Sequence, residues 1–414
     1  MPPTLLAAMI VLLEGLSFGL TLPVLPEFCT ALGGTASTAG LLFALVSGPK
    51  VFTNPMFGGL SDRIGRRPVL AINTLGTLAG SIAWAASRNL SMLAISRLVT
   101  GVFSAQAGLA QAIVADKTSP QRRAAAMGML GAAFGIAFSL GPAVGGWVAH
   151  HYSNATVGWI CASMQIISLC VIAFVLPESR PREERLAHAQ SGANRSAREL
   201  FGEPNVLVLL IVTAAMTLGT SHLISTFSLV GRDCYAFSVE MSGYAFGTLG
   251  LVGIIVQGGL IRPMSARFGE RAVAQAGLAI LAVGLLLVAM QAPAWSFWLA
   301  ASLVGLGSAL AVPCLSSLLS RCVGKADQGG INGLSQSALA IGRAGGNAMG
   351  GGLYHHGGVS VCYSVAAGFV LSSTLVLARF RAAGVAADET GDDIGDTNFA
   401  TGKPTAREPA DSAH

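Results

Sequence analysis

Long apolar runs alternate with short polar segments along most of the chain. A helix needs about 20 predominantly apolar residues to cross a bilayer. Runs of that order occupy 4–26, 39–60, 68–87, 91–115, 123–149 and 156–176. After a polar interruption they resume at 206–230, 241–261, 272–291, 294–319, 328–352 and 359–380. The pattern predicts an all-α membrane protein of twelve transmembrane helices, with both termini on one side. We expect an N-terminal six-helix half over 1–176, a cytoplasmic linker over 177–203, a C-terminal six-helix half over 204–380 and a tail over 381–414. The linker mixes both charges. The tail is acidic and rich in small residues, and is expected to be disordered.

Composition supports the membrane reading. Mean hydropathy is +0.63, and only 11% of the 414 residues are charged, against about 25% in soluble domains. The 52 glycines suit helices packed backbone to backbone in lipid. Arg63, Arg66, Arg67, Lys117, Arg122, Arg123, Arg267, Arg271, Arg321 and Lys325 fall in alternate short loops, whereas the opposite loops hold Arg88 and Arg232. Basic loops stay inside, so the crowded side and both termini are expected to be cytoplasmic. The net charge of +5 then marks orientation, and no nucleic-acid partner is expected. Seven scattered cysteines make neither a metal-ligand spacing nor a disulfide framework, although Cys29 and Cys234 share a side. The first run lacks a basic leader and a small-residue cleavage site, and is expected to remain as a membrane helix.

One polar stretch, GGLSDRIGRRPVL at 58–70, stands out between two apolar runs. Its arginines fit a positive-inside anchor, but Asp62 and the glycines at fixed offsets from it do not follow from anchoring. Gly58, Gly59 and Gly65 are expected to allow close packing or unusual backbone angles, and Pro68 to help start the next helix. The stretch recurs: Arg63-x-Gly65-x-Arg67 answers Arg267-x-Gly269-x-Arg271, and GPAVGGWVAHH (141–151) answers GNAMGGGLYHH (346–356). A parallel repeat of two six-helix halves is a transporter architecture, with the binding site between the halves near the midplane.

The order Gly-x-x-x-Asp-Arg-x-Gly-Arg-Arg resembles the signature loop between helices 2 and 3 of the major facilitator superfamily. The run from Leu20 to Pro26 resembles the proline pair of drug:proton antiporters, and Ser96-Arg97-Leu98-Val99-Thr100-Gly101 the arginine motif of helix 4. Ala115 to Arg122 resembles the loop after it, and Gly135-x5-Gly141-Pro142-x-x-Gly145-Gly146 the antiporter motif of helix 5. Together these are most similar to the tetracycline-efflux branch. The chain departs from that branch in two places, and its second half departs from its first in two more. Gly80 aligns with its helix 3 acid and Lys50 with its helix 2 amide. Ala266 replaces Asp62 in the second loop, and Asn347 replaces Pro142 in helix 11. The resemblance implies a gate made of Asp62, Arg63, Gly65, Arg66, Arg67 and Asp116, with Gly141, Pro142, Gly145 and Gly146 as a flat, loosened helix face. It further implies that Asp62 meets the start of helix 11 near Gln328 to Asn332, and that Arg66 or Arg67 pairs with Asp116.

Charges inside spans are costly and tend to face a cavity or a partner. Lys50, Arg97 and Arg343 are basic and Glu14 is acidic, an excess that points to an anionic or zwitterionic substrate. At about 1.5 Å per residue, Glu14 and Lys50 lie near one level on consecutive helices. They read either as a proton-coupling acid beside a substrate-charge reader or as a permanent ion pair. His222 and Gln257 are further expected cavity groups. Gln106, Gln111, Gln336 and Asn347 serve equally as interhelical hydrogen-bond donors. The pairs His150-His151 and His355-His356 sit at helix C-termini, where cations are favourable without further function. No hydrolase elbow, phosphate loop or zinc spacing occurs, so no enzyme activity, metal or cofactor is expected. The expectation is a monomeric, proton-coupled exporter of a small organic compound in the inner (plasma) membrane. The alternative is an uptake symporter on the same fold.

Overall fold

The computed structural model describes residues 2–179, 199, 202–323 and 328–379. All of its regular elements are helical: α1 (Pro3–Ala31), α2 (Ala36–Ser47), α3 (Lys50–Ile64), α4 (Arg66–Ala85), α5 (Leu90–Val102), α6 (Gln106–Lys117), α7 (Pro120–His151) and α8 (Asn154–Phe174). The second half follows with α9 (Pro204–Tyr235), α10 (Val239–Ile255), a π turn (Val256–Leu260), α11 (Ile261–Phe268), α12 (Glu270–Ala289), α13 (Ala294–Arg321) and α14 (Gln328–Arg379). Ten helical segments among the described residues are long and apolar enough to cross a membrane. Helices satisfy their own backbone, which lipid cannot do for them.

Four expected spans differ in detail. The run at 39–60 is parted into α2 and α3, because Pro49 has no N–H to continue the ladder. The run at 91–115 is parted at 103–105 into α5 and α6. The last two runs join in α14, whose 52 residues contain a non-helical Gly358 at φ 71°. Residues 346 and 366 would lie about 30 Å apart on one straight helix. Instead Gly346 packs on Leu218 and Ser221, while a Cβ at Gly219 would meet the Ala366 carbonyl at 2.6 Å. The chain doubles back at Gly358. Arg232 also moves out of its expected loop, since α9 runs on to Tyr235.

Repeated glycines hold the helices together. A Cβ at Gly141 would lie 2.8 Å from the Gly19 Cα, and one at Gly145 would lie 2.6 Å from that of Leu20, so α7 seats on α1. In the second half Gly346 and Gly350 seat α14 on α9 in the same way, Gly350 against His222. Their neighbours point across: Gly146 faces Gly243 of α10, and Gly351 faces Gly40 of α2. An ion pair of Glu27 with Arg232 at 3.4 Å reinforces this end, where His150 also lies 3.8 Å from Glu240.

At the basic end the halves part. A Cβ at Gly58, Gly59, Gly128, Gly131 or Gly333 would meet no described atom within 4 Å. Gly58 and Gly59 therefore do not serve close packing here, contrary to expectation. In the first half Leu6, Ile10, Phe57, Leu70, Ile113 and Ile172 are all buried together.

Candidate functional site

The loop between α3 and α4 turns on Gly65, whose φ of 112° is open to glycine and strained for other residues. The turn aims Arg66 into a buried knot. Its guanidinium meets Asp62 at 2.8 Å, Asp116 of α6 at 3.3 Å and the Ser61 hydroxyl at 2.5 Å. Ser179 donates to the same Asp116 oxygen at 3.2 Å. Glu178 was not singled out from the sequence, yet its carboxylate accepts the backbone N–H groups of Arg66 at 2.9 Å and Arg67 at 3.2 Å. An anion at a helix N-terminus satisfies orphan donors and complements the helix dipole. The Arg67 side chain reaches α8, donating to the carbonyls of Ile172 at 2.9 Å and Ala173. Arg63 is exposed in the last turn of α3.

Between the halves lies a cavity of about 440 Å³ that reaches from Trp84 and Thr21 to Gly58 and Asn332. Glu14, Lys50, Arg97 and Arg343 all line it. Glu14 Oε2 has no hydrogen-bond partner among the described residues. Lys50 lies 5.9 Å from the Phe18 ring centroid and within electrostatic reach of both Glu14 and Arg343. No ion pair within 4.0 Å joins Glu14 to Lys50 in this conformation, so the permanent-pair reading has no contact behind it.

Arg97 is the most deeply held of these charges. Only 5% of it is exposed, its guanidinium lies 4.3 Å from the Trp84 ring centroid, and Nη2 donates to Ser96 Oγ at 3.1 Å. Trp84 is itself fixed by an indole N–H to the Asn154 carbonyl at 2.9 Å. The aromatic face supplies attraction without a carboxylate. Nε stays without a partner among the described residues. Trp84 escaped the sequence reading; an arginine inside a span with no acid on neighbouring turns is the signal to seek an aromatic. Gly80, where the resembling branch carries an acid, abuts Thr100 and accepts from Ser96, so no longer side chain fits.

Two expected cavity residues lie elsewhere. His222 is fully buried between α9 and α14, with Nδ1 bonded to the Leu218 carbonyl at 2.8 Å, and Gly350 closes over it. Gln257 sits on the π turn, exposed and away from the cavity wall. Both readings assumed that a polar group in a span turns inward; a backbone acceptor and a widened helical turn disposed of them instead. Pro142 works with the glycines of α7, its carbonyl lying against Gly243. Cys29 and Cys234 are free thiols with separate partners, the Thr35 carbonyl and Gln291 Oε1.

Known proteins match this whole arrangement. The chain is 28% identical over 420 residues to the mouse major facilitator superfamily domain-containing protein 10, covering 89% of this chain and 91% of that one. It is 30% identical over 327 residues to the class C tetracycline resistance protein of Escherichia coli, covering 78% and 82%. The crystal structure of the human organic anion transporter MFSD10 (TETRAN) superposes with a TM-score of 0.69 at 25% identity, covering 90% of this chain and 98% of that one. The family model described as Major Facilitator Superfamily matches residues 7–263 and 258–400, and with it the chain belongs to the major facilitator superfamily as a multi-pass membrane protein.

Proposed function

We propose that this protein is a proton-coupled secondary transporter that exports a small organic anion or zwitterion by alternating access. Twelve spans, a monomeric state, an inner-membrane location and cytoplasmic termini belong to the same reading. The observation that carries it is the charge of the cavity wall. Lys50, Arg97 and Arg343 share the cavity wall with one described carboxylate, Glu14, and no described acid forms an ion pair with any of the three. A cation would be repelled from such a wall, whereas an anion supplies the missing counter-charge. The likeness to a solved organic anion transporter points the same way.

In this reading the basic end faces the cytoplasm and the cavity is open to it. An anion enters and engages Lys50. Glu14, its balance with the Lys50 charge removed, takes up a proton, and the exchange of one charge for the other couples the two fluxes. Tetracycline is a poor candidate cargo, because Gly80 and Lys50 replace the residues found in that branch. The gate would be the knot around Arg66, which ties α3, α4 and α6 and moves with the first half.

Expression in an efflux-deficient host tests the reading. Resistance should rise toward carboxylate-bearing toxic compounds and vanish with a proton uncoupler. Heightened sensitivity to the same compounds would point instead to the uptake symporter.

A further inference from the structure

The contact between α2 and α14 ends at a fork. Gly351 and Asn347 of α14 touch Gly40 of α2, and one step further a Cβ at Gly48 would lie 3.9 Å from that of Ala344. Pro49 then breaks the helix, and Lys50 begins α3 on the next residue. On the facing strand of contact, Arg343 precedes Ala344. Lys50 from one half and Arg343 from the other thus stand where the halves cease to touch. Both line the cavity, Lys50 lies within electrostatic reach of Arg343, and neither has a hydrogen-bond or ion-pair partner among the described residues.

Like charges on two bodies that must approach oppose that approach. Glu14 lies within electrostatic reach of Lys50 alone of the two. We propose that Lys50 and Arg343 form a closure-sensing anion site: an oxyanion group of the cargo bridges them and draws the halves shut, and without it their repulsion holds the fork open. The inference rests on the anionic-cargo reading and adds where the charge is read and what the reading does. A cargo carboxylate and free inorganic phosphate share the required chemistry, so both belong in the test.

Spin labels at Gly58→Cys and Gly333→Cys report closure. These positions line the cavity on opposite halves and have open space around them. The full chain is used in lipid bilayers, with the accessible Cys170, Cys234 and Cys322 replaced by serine. Distances are read by double electron–electron resonance with salicylate, salicylamide or phosphate added. Salicylate should enrich the short-distance population, and salicylamide should not. Lys50→Gln and Arg343→Gln should enrich it without any addition, on the order of tenfold for loss of one like-charge repulsion, and should abolish the response to salicylate. Arg343→Glu, able to pair with Lys50, should close the molecule outright. Wild-type distances in Arg343→Glu and Lys50→Gln would overturn the proposal. Closure by phosphate as strong as by salicylate would overturn the assignment to cargo. If the variants close but salicylate leaves the wild type unmoved, the repulsion stands and the anionic reading of the cargo falls.

Discussion

Arg67 and Arg271 make the same contact in the two halves. Arg67 donates to the Ala173 carbonyl at the end of α8, and Arg271 donates to the Ala378 carbonyl at the end of α14, at 2.6 Å. Each arginine fastens the first turn of one helix to the last turn of the final helix of its own half. Hydrogen bonds from charged donors contribute about 1.5–3 kcal/mol. Arg67→Ala and Arg271→Ala should each lower the unfolding midpoint in detergent, and the double variant should show the sum, as remote sites do. A double variant no worse than either single one would contradict two independent fastenings.

Glycines at helix contacts and glycines with open space around them should respond oppositely. Gly145→Ala and Gly350→Ala drive a methyl into the backbone of Leu20 and His222. Overpacking of this kind costs roughly 1–3 kcal/mol, and expression yield should drop with it. Gly59→Ala and Gly128→Ala meet open space and should keep yield and melting temperature unchanged.

Much of this was legible in the sequence, and the reason is physical. Lipid forces every span to be a long apolar run, so spans, loops and the repeat of Gly145 by Gly350 can be read from residue order. The break at Pro49 was equally available, as was the turn at Gly65. Contacts between distant segments were not. Glu178 on the N-terminus of α4 and Trp84 against Arg97 join residues far apart in the chain, and no spacing rule encodes them. His222 misled because its Nδ1 bonds the Leu218 carbonyl four residues back, while Nε2 stays buried without a partner among the described residues.

Asp62 separates gating from folding. Its side chain is 42% exposed and shares Arg66 with Asp116 and Ser61. Asp62→Asn should therefore lose less than about 1 kcal/mol of stability, the range of exposed ion pairs. It should express normally, transport at least several-fold more slowly and favour the state open at the basic end. Wild-type initial rates in reconstituted vesicles would remove Asp62 from the gate.

Glu14 and Lys50 should divide the work of coupling. Glu14→Gln should abolish uphill accumulation driven by a proton gradient yet retain substrate binding and one-for-one exchange. Wild-type binding should depend on pH, and that dependence should flatten in Glu14→Gln. Glu14→Lys combined with Lys50→Glu should not restore pumping, whereas a purely structural pair would be rescued by the swap.

The central claim is that the cavity's excess positive charge selects an anion and that protons drive its movement. Purified protein in vesicles, given an imposed proton gradient, measures this most directly when offered a carboxylate-bearing compound, its neutral amide and a quaternary ammonium dye in parallel. The account predicts gradient-dependent accumulation of the carboxylate, little of the amide and none of the dye, with Lys50→Glu losing the carboxylate. Accumulation of the dye with none of the carboxylate would contradict it.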